Sequence, residues 1–279
     1  MILIADSGST KTDWCIVDKG KAVHSVATQG ITPIHQTAEQ ISDILRNELM
    51  PHVPVNIVFE MIRFYGSGCR EDVVPQLKAV IEQVIPCKAL EISSDLLGAA
   101  RGLLGRKPGI ACILGTGANS CLYDGEKIID NTPALGYILG DEGSGAVLGR
   151  NFVNALFKHR LPEELKEEFC RETNLDLDTI INKVYRQPLA NRLLASLSLF
   201  ILRHAEVEEL RQLVIDNFAD FIDKNIKPYN RSDLSINAIG SLAFYFQKEL
   251  AEAAKGRGYS VGKIERSPMQ GLIDYECQS

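Results

Sequence analysis

Ile2-Leu3-Ile4-Ala5-Asp6-Ser7-Gly8-Ser9-Thr10-Lys11-Thr12-Asp13 opens the chain, runs through Trp14-Cys15-Ile16-Val17 and turns at Asp18-Lys19-Gly20. The same pattern returns as Ile110-Ala111-Cys112-Ile113-Leu114-Gly115-Thr116-Gly117-Ala118-Asn119-Ser120, followed by Cys121-Leu122-Tyr123 and a turn at Asp124-Gly125-Glu126. Each copy reads as an apolar strand, a tight Gly/Ser/Thr turn, a second strand and a hairpin turn built on Asp and Gly. Tight turns of this kind gather backbone N–H groups and hydroxyls around a small concavity, which suits phosphate oxygens. Two such turns in two halves predict a nucleotide's phosphates clamped between two related domains.

Composition agrees with two domains. A chain of 279 residues is long for one core and comfortable for two. Its 45% apolar and 24% charged content are ordinary for a globular protein, and the net charge of −6 argues against nucleic acid as a partner. There is no run of about 18 apolar residues, so no membrane partner is expected. No basic leader precedes the first strand, so no signal peptide is expected either. The seven cysteines are an odd number without a C-x-x-C pair, which reads as reduced thiols in a cytoplasmic protein. The five histidines show no metal-ligand spacing.

The first half alternates strands and helices. Strands are expected at 2–6, 12–17, 21–27, 55–60 and 90–93, and helices at 35–50, 71–85 and 96–104. Gly105-Arg106-Lys107-Pro108-Gly109 marks a domain junction, giving an N-terminal domain over 1–106 and a C-terminal domain over 107–279. The second domain opens with the repeated hairpin and carries a second glycine-rich loop, Gly136 to Gly145. A helical insertion at about 146–230 follows, then strands at 234–239 and 259–264 and a terminal helix from Ser267-Pro268. The fold class is therefore α/β, two mixed domains with a cleft, and Asp6, Asp95, Gly115 and Gly240 fall at carboxyl ends of strands, where such sheets bind ligands.

Several of these residues carry two readings. Asp6 beside bound phosphates needs a cation; alone it would read as a cap of its own turn, but the repeated turn favours a Mg²⁺ ligand. The hairpin after Asp6 is not a Walker A loop, because it leads into a strand and lacks that spacing. Asp95 stands at a strand-to-helix junction, as a general base for phosphoryl transfer or as a helix cap, a role that Ser94 can also fill. Asp141 and Glu142, between glycines, can bind sugar hydroxyls or cap the helix that follows.

Together these motifs resemble the actin-like ATPase superfamily, and within it the N-acetylglucosamine kinase and BadF/BadG-type ATPase family. The matching segments are Asp6–Thr12, Gly115–Asn119, Ser94-Asp95 with Gly98-Ala99, Gly136–Ser144 and Gly240-Ser241. The resemblance implies two ribonuclease H-like domains and ATP-dependent phosphorylation of an amino-sugar hydroxyl, N-acetylglucosamine first, with ATP and Mg²⁺ as cofactors. It implies ATP contacts from Ser9, Thr10, Lys11, Thr116, Gly117, Gly240 and Ser241, and sugar contacts from Thr32, Ser67, Ala118, Asn119, Gly136 and Asp141. Asp95 would be the catalytic base and Asp6 the metal ligand; the protein would be a cytoplasmic homodimer. Two departures bear on the sugar. The loop after the third strand has Gly30-Ile31-Thr32-Pro33 where these kinases often carry Asn, and Leu135 stands where they have Trp.

The alternative within the family is the ATPase activator of 2-hydroxyacyl-CoA dehydratases, which drives electrons from an iron–sulfur cluster. Its cluster cysteine lies three residues before a Gly-Thr-Gly, the place of Cys112 here. That cysteine sits within the apolar run Ile110–Leu114, and no second cysteine follows at an evident ligand position.

Overall fold

The computed structural model describes residues 1–277. Ten strands form two five-stranded sheets. The first sheet contains β1 (Ile2–Ser7), β2 (Lys11–Asp18), β3 (Lys21–Gln29), β4 (Met61–Gly66) and β5 (Leu90–Ser94), in the order β3-β2-β1-β4-β5. The second contains β6 (Gly109–Leu114), β7 (Ala118–Tyr123), β8 (Ile128–Asp130), β9 (Ile236–Ile239) and β10 (Val261–Glu265), in the order β10-β9-β6-β7-β8. Read from the other edge, the second order is that of the first, strand for strand. The repeat seen in the hairpins is thus a repeat of whole-sheet topology.

The pairing follows from chain connection. β1 and β2 are joined by a tight turn and pair antiparallel, as do β6 and β7. β1–β4, β4–β5, β6–β9 and β9–β10 are parallel, each reached by a helical crossover. Both faces of β1 are covered, which accounts for its unbroken apolar run. Leu3 and Ala5 pack with Trp14, Phe64, Leu77 and Ile81, while Ile4 packs on the opposite face with Cys15, Val17, Tyr65, Leu272 and Ile273.

One strand lies elsewhere than its sequence suggests. The run 55–60 is not a strand: it turns at Val55-Asn56 (Asn56 φ 64°), Val55 and Val58 are exposed, and Phe59 makes a single bridge to Cys87. The strand is Met61–Gly66, whose alternation sends Ile62 and Phe64 to one core and Tyr65 to the other. The helix expected at 35–50 begins after a capping box, Thr37 with Gln40, and relaxes through a π turn at Leu45–Leu49.

Two compact units emerge. Among the described residues the first holds 1–108, the short segment 124–128 and 267–277; the second holds 109–123 and 129–266. This differs from the expected split at 106/107, which kept the C-terminus in the second domain. The helix Met269–Cys277 packs instead on Asp95–Leu104 of the first unit, covering the apolar face left open by β1, β2 and β4. The two helices meet backbone to backbone, so a side chain at Gly271 would strike the carbonyl of Gly102. The second unit has one large core joining its sheet to the helical segment Gly145–Tyr229, and three phenylalanines, Phe152, Phe169 and Phe200, meet at its centre with ring separations of 5.2 to 5.7 Å. Among the described residues no helix is long and apolar enough to cross a membrane.

Because Gly271 has no room for a methyl group, Gly271→Ala is expected to destabilise the protein by about 1–3 kcal/mol. The urea midpoint should fall with an unchanged slope; an unaltered midpoint would show that the terminal helix is not held at this contact.

Candidate active site

In the first unit the parallel register places Ser7 beside Gly66 and Gly66 beside Ser94. The carboxyl ends of three strands are therefore level, and the residues around them, Asp6, Ser67 and Asp95, form one group. The β1–β2 turn is closed by the Gly8 N–H on the Lys11 carbonyl (3.0 Å), with Ser9 and Thr10 exposed at its tip. Its base is locked by a buried hydroxyl pair: Ser7 Oγ and Thr12 Oγ1 are 2.6 Å apart, and both accept from the Ile31 N–H. The Ser67 N–H donates to the Ser7 carbonyl at 2.8 Å, tying the β4 loop to the same point.

Asp95 is the first residue of the helix Asp95–Leu104, but Ser94 provides the cap, its Oγ accepting the Leu97 N–H at 3.2 Å. Asp95 accepts its neighbour's N–H (Leu96, 2.9 Å) and the Ser67 hydroxyl. Burial nonetheless pushes its carboxyl up to about 6. Asp6 is pushed up to about 7, first by burial and then by the charges of Asp95 and Asp13, with Lys11 opposing. Lys11 is itself exposed and paired with Asp13 at 2.6 Å. Thr32 is buried, and its hydroxyl has no hydrogen-bond partner among the described residues. Its N–H is fixed by Gln36 Oε1 (2.6 Å), while Gln36 Nε2 holds the Gly30 carbonyl (2.9 Å).

In the second unit the β6–β7 turn is stapled to a helix. The Gly145 and Ala146 N–H groups, at the start of the helix Gly145–Phe157, donate to the carbonyls of Gly115 (2.8 Å) and Thr116 (3.2 Å). Ser144 caps that helix through the Val147 N–H. Asp141 therefore does not cap it. In a left-handed conformation (φ 51°), it turns its carboxylate back onto the N–H groups of Gly136 and Ala118 and lies against Gly117. Burial raises it to about 6 despite those two donors. Asn119 Oδ1 accepts from Asn131 Nδ2 at 3.0 Å. Gly240 (φ 116°) presses its backbone on Leu114 and Gly115 so closely that any side chain would collide; Ser241, beside it, is exposed.

The structure thus gathers Asp6, Ser9, Thr10, Lys11, Thr32, Ser67 and Asp95 at one sheet edge of the first unit. It gathers Thr116, Gly117, Ala118, Asn119, Gly136, Asp141, Gly240 and Ser241 at the corresponding edge of the second. Three supporting residues escaped sequence reading: Ser7, Gln36 and Asn131. Each acts through a partner at least four positions away; Gln36 and Asn131 lie outside the quoted motifs, and Ser7 lies inside Asp6–Thr12 without a role assigned to it.

A mixed sheet of this order, occurring twice, with carboxylates and glycine turns at the strand ends, defines the actin-like ATPase fold. Neither a scan of protein-family models nor a search of curated proteins gives a match. Among solved structures, a candidate N-acetylglucosamine kinase from Porphyromonas gingivalis is 46% identical with a TM-score of 0.97, covering 100% of this chain and 99% of its own. A second candidate N-acetylglucosamine kinase, from Chromobacterium violaceum, is 17% identical (TM-score 0.76; 98% of each chain). A glucokinase of the ROK family from Streptomyces griseus, in complex with glucose and AMPPNP, shares the fold at 15% identity (TM-score 0.59; 98% and 97% covered). The chain belongs to the N-acetylglucosamine kinase family of actin-like ATPases.

The raised Asp6 has a stability consequence. Its pKa goes from about 3.8 unfolded to about 7 folded, so the folded state is favoured at low pH and loses that advantage as pH rises through about 7. Asp6→Asn removes the titration. Its melting temperature should exceed wild type by about 2–4 °C at about pH 8, with the gap closing towards about pH 5. A gap independent of pH would show that the Asp6 carboxyl is not raised in the folded protein.

Proposed function

We propose that the protein transfers the γ-phosphoryl group of ATP to a hydroxyl of an amino-sugar, N-acetylglucosamine in the first instance. The observation that carries this reading is Asp95: a carboxylate freed from capping by Ser94, steadied by Ser67, and raised towards neutrality by burial. A base must both take a proton and be ionised at working pH, and a value of about 6 serves both needs. The 46% identical relative of candidate N-acetylglucosamine kinase activity supports the choice of sugar.

Phosphoryl transfer depends chiefly on positioning and charge, so each group has a simple task. Asp95 orients the acceptor hydroxyl and takes its proton as the bond to phosphorus forms. Thr32, with its unsatisfied buried hydroxyl, and Ser67 contact the sugar in the first unit. Ala118, Asn119, Gly136 and Asp141 contact it in the second. The backbone turns at Ser9–Lys11 and Thr116–Gly117 meet phosphate oxygens, while Gly240 and Ser241 lie at the nucleoside. The donor set at Asp6 fits Mg²⁺: its carboxyl is raised by burial and by the charges of Asp95 and Asp13, which Lys11 offsets only in part, and Mg²⁺ commonly takes one or two carboxylates plus phosphate. Asp6 would hold the ion, whose charge would screen the phosphates. A cytoplasmic homodimer completes the reading.

The activator alternative receives less support. Cys112 is fully buried within β6, and burial, with Cys121 nearby, raises its thiol far above the ordinary value, whereas cluster ligation requires thiolates. Cys112→Ala should leave sugar-dependent turnover close to wild type.

A coupled ADP-release assay over hexoses and amino-sugars tests the main reading. N-acetylglucosamine should stimulate release well above the water background; no stimulation by any sugar would refute kinase activity. Asp95→Asn should lower kcat by about 10² to 10⁴ with nucleotide affinity little changed. Full kcat in that variant would remove Asp95 from the role of base.

A further inference from the structure

We propose that Glu168, Glu172 and His204 form a binding site for a divalent transition-metal ion, Zn²⁺ above all, in the helical segment of the second unit. Glu168 and Glu172 are four residues apart on the helix Glu163–Thr173 and so share one face. His204 ends the helix Ser198–Arg203, and its ring lies on Phe200 at 4.3 Å between centroids. Phe200 belongs to the central aromatic cluster with Phe152 and Phe169, so the imidazole rests on a firm floor. One ligand atom from each of the three residues lies within 4.8 Å of the other two.

The two carboxylates face different nitrogens of the imidazole, so an ion on one nitrogen would draw the other carboxylate across to it. Glu168 Oε2 is 3.8 Å from His204 Nδ1, and Glu172 Oε1 is 3.7 Å from Nε2. Both separations are too long for hydrogen bonds, and Nε2 is buried without a partner. The other oxygen of each carboxylate is taken: Glu172 Oε2 by Arg203 at 2.7 Å, Glu168 Oε1 by Arg171 at 3.4 Å. The arginines thus orient the carboxylates from outside and leave their inner oxygens turned to the imidazole, the role that outer partners play at metal sites. Glu206 also approaches, 4.0 Å from Nδ1. Three carboxylates against two guanidiniums leave a net negative charge around the imidazole.

Ligand atoms on one Zn²⁺ stand about 2.0–2.2 Å from the ion and hence roughly 3–3.5 Å from each other, so the three groups, now within 4.8 Å, must draw together by about an ångström around one ring nitrogen. Imidazole with carboxylate suits Zn²⁺, Co²⁺ or Ni²⁺ and disfavours Mg²⁺, which prefers an all-oxygen shell. The ion would cross-link two helices of the segment. Sequence spacing alone hid the site, because the histidine is far along the chain from the two glutamates.

Titration of ZnCl₂ into metal-stripped full-length protein at about neutral pH, followed by calorimetry and thermal melting, tests the proposal. One equivalent per chain should bind and raise the melting temperature by mass action. That equivalent should vanish in His204→Ala and weaken at least about tenfold in Glu168→Gln and Glu172→Gln. It should persist in His52→Ala, which breaks the His24–His52 ring pair, and in millimolar Mg²⁺. Co²⁺ in place of Zn²⁺ should give a visible absorption band lost in Glu168→Gln, a readout that stands if His204→Ala folds poorly. Absence of a bound equivalent, or its survival in both the histidine and glutamate variants, overturns the proposal. So does a melting temperature that responds to acid but not to Zn²⁺, since that marks a protonated His204 held by carboxylates alone.

Discussion

Parallel pairing of β1, β4 and β5, in a register that puts Ser7, Gly66 and Ser94 side by side, governs the chemistry of the first unit. Three strands that end level release their loops at one edge, so side chains distant in sequence emerge together. Asp6, Ser67 and Asp95 meet for this reason and no other. The helices that cover both faces of the sheet hold the register, because a slip of one residue would turn Leu3 and Ala5 away from their core. The contact between Gly102 and Gly271 belongs to the same constraint, sealing the second face of β1.

The same design serves the second unit with different chemistry. There the strand ends carry glycine turns, and backbone contact replaces side-chain contact: Gly240 against Leu114 and Gly115, and helix amides against the Gly115 and Thr116 carbonyls. Amides spent on holding the turn fix its shape before any ligand arrives. Asp141 is held in the same way by two backbone donors. A kinase that works mainly by positioning gains from such preorganisation, since little ordering is left for the moment of reaction.

The carboxylates of the first unit work against stability. Asp95 sits where burial raises its carboxyl, and Asp6 where burial and the charges of Asp95 and Asp13 raise it further, an arrangement that folding alone would avoid. A buried hydroxyl without a partner, at Thr32, belongs to the same region. The raised carboxylates and the unsatisfied hydroxyl at one sheet edge support the cation and sugar roles proposed for them.

The duplicated hairpins, most strands and the glycine turns were legible in the sequence, because each depends on neighbours a few residues apart: alternation, turn chemistry and capping. The choice between cap and base at Asp95 was not, since Ser94 and Asp95 can both cap, and only the three-dimensional hydrogen bonds assign the cap to Ser94. The strand at Met61–Gly66 was missed because the apolar run before it looks as buried as a strand, and burial is decided by what the rest of the chain covers. The return of the final helix to the first unit, the bracing of Thr32 by Gln36, and the meeting of His204 with Glu168 and Glu172 rest on long-range packing. Contacts of that kind leave no periodicity in a sequence; they exist only once the sheets have set their edges and the helices have closed over them.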